Sequence, residues 1–234
     1  MKRFVAVLAA ALALAATAAA QGRIEVRLEA GSAYSHTRWM GPVPMKLTPQ
    51  IAIWIETADG RFVDTIYVTR RSAQSSWRGG ANIRRPEALP IWSHARGVVA
   101  ADGLYMPDRG HPLPDAVSGA TPTGSFAKTW IVPADLAPGA YRIRAELNAS
   151  FDYNEAYPDK LPASDPRNSG ANGQPSILWE ADIQIGPAPA SVELKVLGTG
   201  SLRGSDGAVA TGLAGITSAR AIASGITASY TPSR

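Results

Sequence analysis

The chain has 234 residues, of which 45% are hydrophobic and 18% charged, and its formal net charge is +4. This balance is typical of a globular protein and excludes an extensively disordered chain. So small a charge gives no support for binding to nucleic acid. The absence of cysteine excludes disulfides, thiolate metal sites and a cysteine nucleophile.

The first twenty residues have the pattern of a cleavable signal peptide. Lys2 and Arg3 precede an apolar run over residues 4–20, which ends in small residues before Gln21. A permanent transmembrane anchor is the alternative, but the run is rich in alanine and marginal in length for a span. We therefore expect residues 1–20 to be removed. The mature protein is then periplasmic or secreted and has no transmembrane anchor.

Strand patterns dominate the rest of the chain. Near the N-terminus, Ile24, Val26 and Leu28 alternate with charged residues, which predicts a half-buried strand. Helical patterns are limited to residues 85–96, where prolines restrict the length, and residues 218–224. The predicted strands cover residues 23–30, 50–57, 61–68, 128–132, 140–147, 176–185 and 191–196.

Short strands joined by hairpin turns, with few helices, predict an all-β fold. We expect an antiparallel immunoglobulin-like β-sandwich with long loops, and an open barrel is the alternative. A Gly-Pro-Ala-Pro string at residues 186–189 predicts a boundary. Residues 21–186 would then form the β-sandwich domain. Residues 187–234 are rich in Gly, Ala and Ser and would form a C-terminal extension with a strand, a flexible loop, a short helix and a closing strand near residues 227–230.

Residues 115–121 read Asp-Ala-Val-Ser-Gly-Ala-Thr and form the most informative string. Small residues there leave room for a phosphate near backbone N–H groups, beside a threonine hydroxyl. The string resembles the FMN-acceptor motif of covalently flavinylated electron-transfer proteins, in which a flavin transferase outside the cytoplasm joins FMN to threonine through a phosphoester bond. The resemblance implies that Thr121 is the acceptor in a cofactor-binding loop that comprises Asp115, Ser118, Gly119, Ala120 and Thr121. The alternative is a structural loop whose polar side chains bond to the backbone.

Three further features extend the resemblance: the strings at residues 51–63, Trp130, and the string at residues 136–141. Over residues 23–186 the chain resembles uncharacterised predicted periplasmic proteins of immunoglobulin-like β structure, which are associated with flavin transferases and PepSY-type membrane reductases. This resemblance implies an accessory protein of an extracytoplasmic flavin or redox system, with such a transferase and reductase as partners. The alternative is a non-catalytic cell-envelope binding or assembly module.

A second candidate site follows the strand predicted at residues 140–147. Asn148, Asp152, Asn154 and Glu155 bring oxygen ligands close together in the sequence, and calcium prefers oxygen ligands. The spacing lacks the central glycine of a helix-loop-helix calcium loop, so a solvated loop is the alternative. Neither a Gly-x-Ser-x-Gly elbow nor a phosphate-binding loop motif occurs in the chain. An enzyme is therefore the less favoured class.

Overall fold

The computed structural model describes residues 22–77, 83–114 and 117–233. The predicted signal peptide, residues 1–20, and Asp115 of the candidate cofactor-binding loop lie outside these residues. In the described part of the chain no helix is long and apolar enough to cross a bilayer. The strands are β1 (Gly22–Ala30), β2 (His36–Met40), β3 (Val43–Leu47), β4 (Gln50–Thr57), β5 (Phe62–Thr69), β6 (Ser118–Gly119), β7 (Phe126–Val132), β8 (Gly139–Asn148), β9 (Ile177–Ile185), β10 (Ala190–Glu193), β11 (Lys195–Thr199) and β12 (Ala223–Pro232). The helices are α1 (Arg70–Gln74), α2 (Pro90–Ala95) and a 3-10 turn over Ser218–Ala221.

Two sheets contain most of these strands. The smaller sheet has the order β10-β12-β1-β7, and its pairs are antiparallel. The larger sheet has the order β11-β9-β8-β4-β5-β6, in which only β5 and β6 are parallel. The β2–β3 hairpin stands apart as a two-stranded sheet. The prediction of a mainly β, antiparallel fold is confirmed.

One hydrophobic core is shared by the two sheets. Ile24, Val26 and Leu28 of β1 point into it, as the alternating pattern predicts, and all three are fully buried. From the larger sheet, β4 contributes Ile51, Ile53 and Ile55 among others. Burial of these branched side chains supplies the main driving force for packing one sheet on the other.

The opposite face of β4 is covered as well. Ala52 and Trp54 pack with Ile91 and Trp92 of α2 in a second buried cluster. Because both of its faces are buried, β4 has a nearly continuous run of apolar residues. Its buried Glu56 accepts a hydrogen bond from the Trp54 indole at 2.7 Å. The helix predicted at residues 85–96 is shorter than expected, since α2 begins only at Pro90, a residue suited to the first helical turn.

The predicted C-terminal extension at residues 187–234 is part of the two sheets, and this corrects the predicted domain boundaries. β12 pairs with β1 along its whole length, and its Ile226, Ala228 and Tyr230 are buried in the shared core. The single strand predicted at residues 191–196 is divided at the buried Leu194. β10 before it belongs to the smaller sheet and β11 after it to the larger one, so the chain crosses between the sheets there.

Candidate functional site

The loop that contains the flavin-acceptor string lies along the edge of the larger sheet. Ser118 and Gly119 form β6 and pair with Val68 and Thr69 of β5. A side chain at Gly119 would lie 3.3 Å from the ring of Tyr67, a contact tighter than most real ones. The glycine therefore lets the loop approach β5 closely.

Two buried tyrosines anchor the backbone on either side of Thr121. The Tyr67 hydroxyl donates to the Ala120 carbonyl at 3.1 Å, and the Tyr34 hydroxyl donates to the Pro122 carbonyl at 3.0 Å. Burial raises the pKa of Tyr34 to about 12 and also raises the pKa of Tyr67. Both hydroxyls therefore stay protonated and keep these bonds at neutral pH.

Thr121 borders an open pocket of about 400 Å³. The threonine is half-buried, and the pocket is polar. Beside Thr121 and Ala120, the lining residues are Thr48, Arg70, Arg71 and Ser76. Two arginines and two further hydroxyl-bearing residues thus line the same pocket as Thr121, and these residue types are suited to binding a phosphate or carboxylate.

Buried hydrogen bonds fix the position of the helix that begins with Arg70 and Arg71. The Gln50 side-chain oxygen accepts from Thr69 Oγ1 at 3.0 Å and from Ser72 Oγ at 3.2 Å, and all three side chains are buried. These bonds join the start of α1 to the start of β4. Arg70 and Arg71, which lie between the two donors in the chain, consequently begin a helix whose position the sheet defines.

The other described members of the acceptor string, residues 117–119, do not border the pocket. Ser118 is buried, and its hydroxyl has no hydrogen-bond partner. Gly119 faces Tyr67, as described above. Only Ala120 and Thr121, among the described residues of the string, line the pocket.

Two of the four predicted calcium ligands, Asp152 and Asn154, are engaged with other protein groups. Asp152 accepts from Ser218 Oγ at 2.5 Å and from Gln174 Nε2 at 2.9 Å, and burial raises its pKa, which opposes the ionised form that calcium needs. Asn154 uses its oxygen to accept from a backbone N–H at 2.9 Å. Asn148 is buried, with its oxygen unpartnered, and Glu155 is exposed. No group of three His, Asp or Glu side chains suited to a metal ion occurs among the described residues.

No sequence pattern indicates that Thr48, Arg70, Arg71 or Ser76 belongs to a site with Thr121. They come from two separate segments, and no known motif joins them to residues 115–121. The one available signal was the Arg-Arg pair directly after the strand predicted at residues 61–68. A charged pair at a strand end is common on protein surfaces, so this signal alone is weak.

Comparison with known proteins adds no relative: no family model, curated protein or solved structure matches the chain.

Proposed function

We propose that the protein is an exported accessory protein of an extracytoplasmic flavin or redox system and that it carries FMN covalently on Thr121. The observation that carries the proposal is the pocket that Thr121 lines together with Arg70 and Arg71. A flavin phosphate placed on this hydroxyl would have two cations within the same pocket. Export follows from the predicted signal peptide, and a transferase and a membrane reductase are the proposed partners.

The chemistry requires an accessible hydroxyl on a backbone that does not move away. A flavin transferase would present FAD, and the Thr121 oxygen would attack the phosphorus on the flavin side. The bond between that phosphorus and the adenylate oxygen breaks, AMP leaves with the bonding electrons, and the hydroxyl proton passes to a base of the transferase. The tyrosine bonds at Ala120 and Pro122 orient the threonine for this attack.

The experiment is co-expression of the mature chain with a flavin transferase, followed by intact-mass measurement and in-gel flavin fluorescence. We expect a mass increase equal to FMN less one water in the wild-type protein. Thr121→Val should abolish it, whereas Thr123→Val, an exposed threonine two residues away, should retain it. An unmodified wild-type chain, or a mass increase that survives Thr121→Val, would contradict the proposal.

A second candidate is a cell-envelope binding or assembly module in which the loop is structural. The β2–β3 hairpin favours it, because Trp39 and Val43 expose 65% and 56% of their surface there. Capture of a single partner by the wild-type chain, abolished by Trp39→Ser without loss of fold, would support this candidate. For either function, we also propose that the two sheets are arranged as in an immunoglobulin-like sandwich.

A further inference from the structure

A second pocket, of about 310 Å³, lies next to the residues that follow α2. Its lining is mainly apolar and includes Val98, Val99 and Met106. The two valines are each about half exposed, at 55% and 52%, although they are adjacent and strongly apolar. Such a concave apolar surface is typical of a small-molecule site, and its volume lies at the low end of the usual range.

Arg96 borders this pocket and has no counter-ion among the described residues. Arg96 forms no ion pair with the described residues, and its Nη1 is buried with no hydrogen-bond partner. Its guanidinium lies 5.1 Å from the centre of the Trp92 ring, and burial lowers the pKa of the arginine. A partly desolvated charge without a partner is unfavourable, and an anion bound beside it would compensate.

An acidic side chain in the pocket lining, Asp108, is already engaged. Asp108 accepts from the backbone N–H of His111 at 2.7 Å and contacts His111 Nδ1 at 3.2 Å. These bonds hold the pKa of Asp108 below its usual range, so it is ionised at neutral pH. Asp108 is therefore committed to His111 and forms no ion pair with Arg96, although both residues line the pocket.

We propose that this pocket binds a small amphipathic anion. The carboxylate or phosphate group of the ligand pairs with Arg96, and its apolar body packs against Val98, Val99 and Met106. The inference is independent of flavin attachment, because no lining residue is shared with the pocket at Thr121.

Isothermal titration of the mature chain with octanoate and with octyl phosphate tests the proposal, and 1-octanol serves as the uncharged control. We expect at least one of the two anions to bind, and their relative affinities to identify the preferred anionic group. Arg96→Gln should weaken binding about tenfold or more, since a charge-assisted hydrogen bond is lost. The matched control is Arg109→Gln, which removes an exposed arginine outside the pocket lining and should change the affinity less than about twofold.

A second variant tests the apolar wall without altering the charge. Val99→Trp should fill the pocket and abolish binding of both anions, while circular dichroism confirms that each variant is folded. The proposal is overturned if neither anion binds the wild-type chain below about 5 mM, a threshold that corresponds to a very weak site. It is also overturned if 1-octanol binds as tightly as octanoate, or if Arg96→Gln binds like the wild type.

Discussion

Glu146 is a fully buried carboxyl group that joins α2 to the larger sheet. Its oxygens accept from the backbone N–H of Ile91 at 3.2 Å, from that of Trp92 at 2.8 Å, and from Ser176 Oγ at 2.6 Å. Burial raises the pKa of Glu146 to about 7, and the three hydrogen bonds offset this only in part.

This raised pKa makes the free energy of unfolding depend on pH. The folded chain binds the proton more tightly than the unfolded chain, so the contribution is fully present below about pH 4.5 and is lost as the pH rises through about 7. Between pH 5 and pH 8 the loss amounts to about 2.5 kcal/mol, from about 1.36 kcal/mol for each unit of pKa shift.

Glu146→Gln removes the titrating group and keeps a side chain of the same shape. We expect urea unfolding, followed by tryptophan fluorescence, to show the variant gaining about 2.5 kcal/mol relative to the wild type between pH 5 and pH 8. The altered hydrogen bonds of the variant change its free energy of unfolding by an amount that does not vary with pH. The other titrating groups do not contribute to the difference between variant and wild type, because both chains contain them. Glu29→Gln, at an exposed position, should show no such trend. A difference between Glu146→Gln and wild type that stays constant with pH would refute the reasoning.

Two further predictions concern stability. Arg85 is buried and donates a hydrogen bond to Glu87 at 3.1 Å, so Arg85→Leu leaves a buried carboxylate without its partner. We expect urea unfolding to show a free energy of unfolding lower by about 3–5 kcal/mol, and a loss below about 1 kcal/mol would contradict this. Gly173 and Gly60 have nearly equal φ angles of 84° and 85°, but a side chain at Gly173 would overlap the backbone of Asp152, whereas nothing lies near Gly60. Gly60→Ala should therefore cost about 1–2 kcal/mol from backbone strain, and Gly173→Ala clearly more; equal costs would show that the overlap is relieved.

Local patterns predicted the strands whose burial repeats regularly. β1 alternates apolar and charged residues, and β4 contains an apolar run from Ile51 to Ile55, so both could be identified without knowledge of their neighbours. For β12 the sequence predicts only a short closing strand near residues 227–230, because the segment is rich in small and polar residues. Its place in the sheet depends on the pairing with β1, which is nearly two hundred residues away in the chain.

The candidate site likewise has one part that a local pattern indicates and another part that depends on tertiary packing. Thr121 is singled out as a candidate by the string of residues around it, whereas the pocket beside it depends on tertiary packing. Arg70 and Arg71 reach it only because buried bonds to Gln50 position α1. Sequence spacing carries no information about such an approach when the segments are some fifty residues apart.

The segment formed by α1 and the two serines after it contacts both proposed pockets. Ser76 lines the pocket at Thr121, while the Ser75 hydroxyl donates to the carbonyl of Pro107, which lines the pocket at Arg96. Ser75 adopts a left-handed conformation, with φ of 47°, and this places consecutive serines in different surroundings. A residue other than glycine in that conformation is costly, and here the hydrogen bond to Pro107 compensates. The same short segment therefore contacts the linings of both pockets, although these linings have no residue in common.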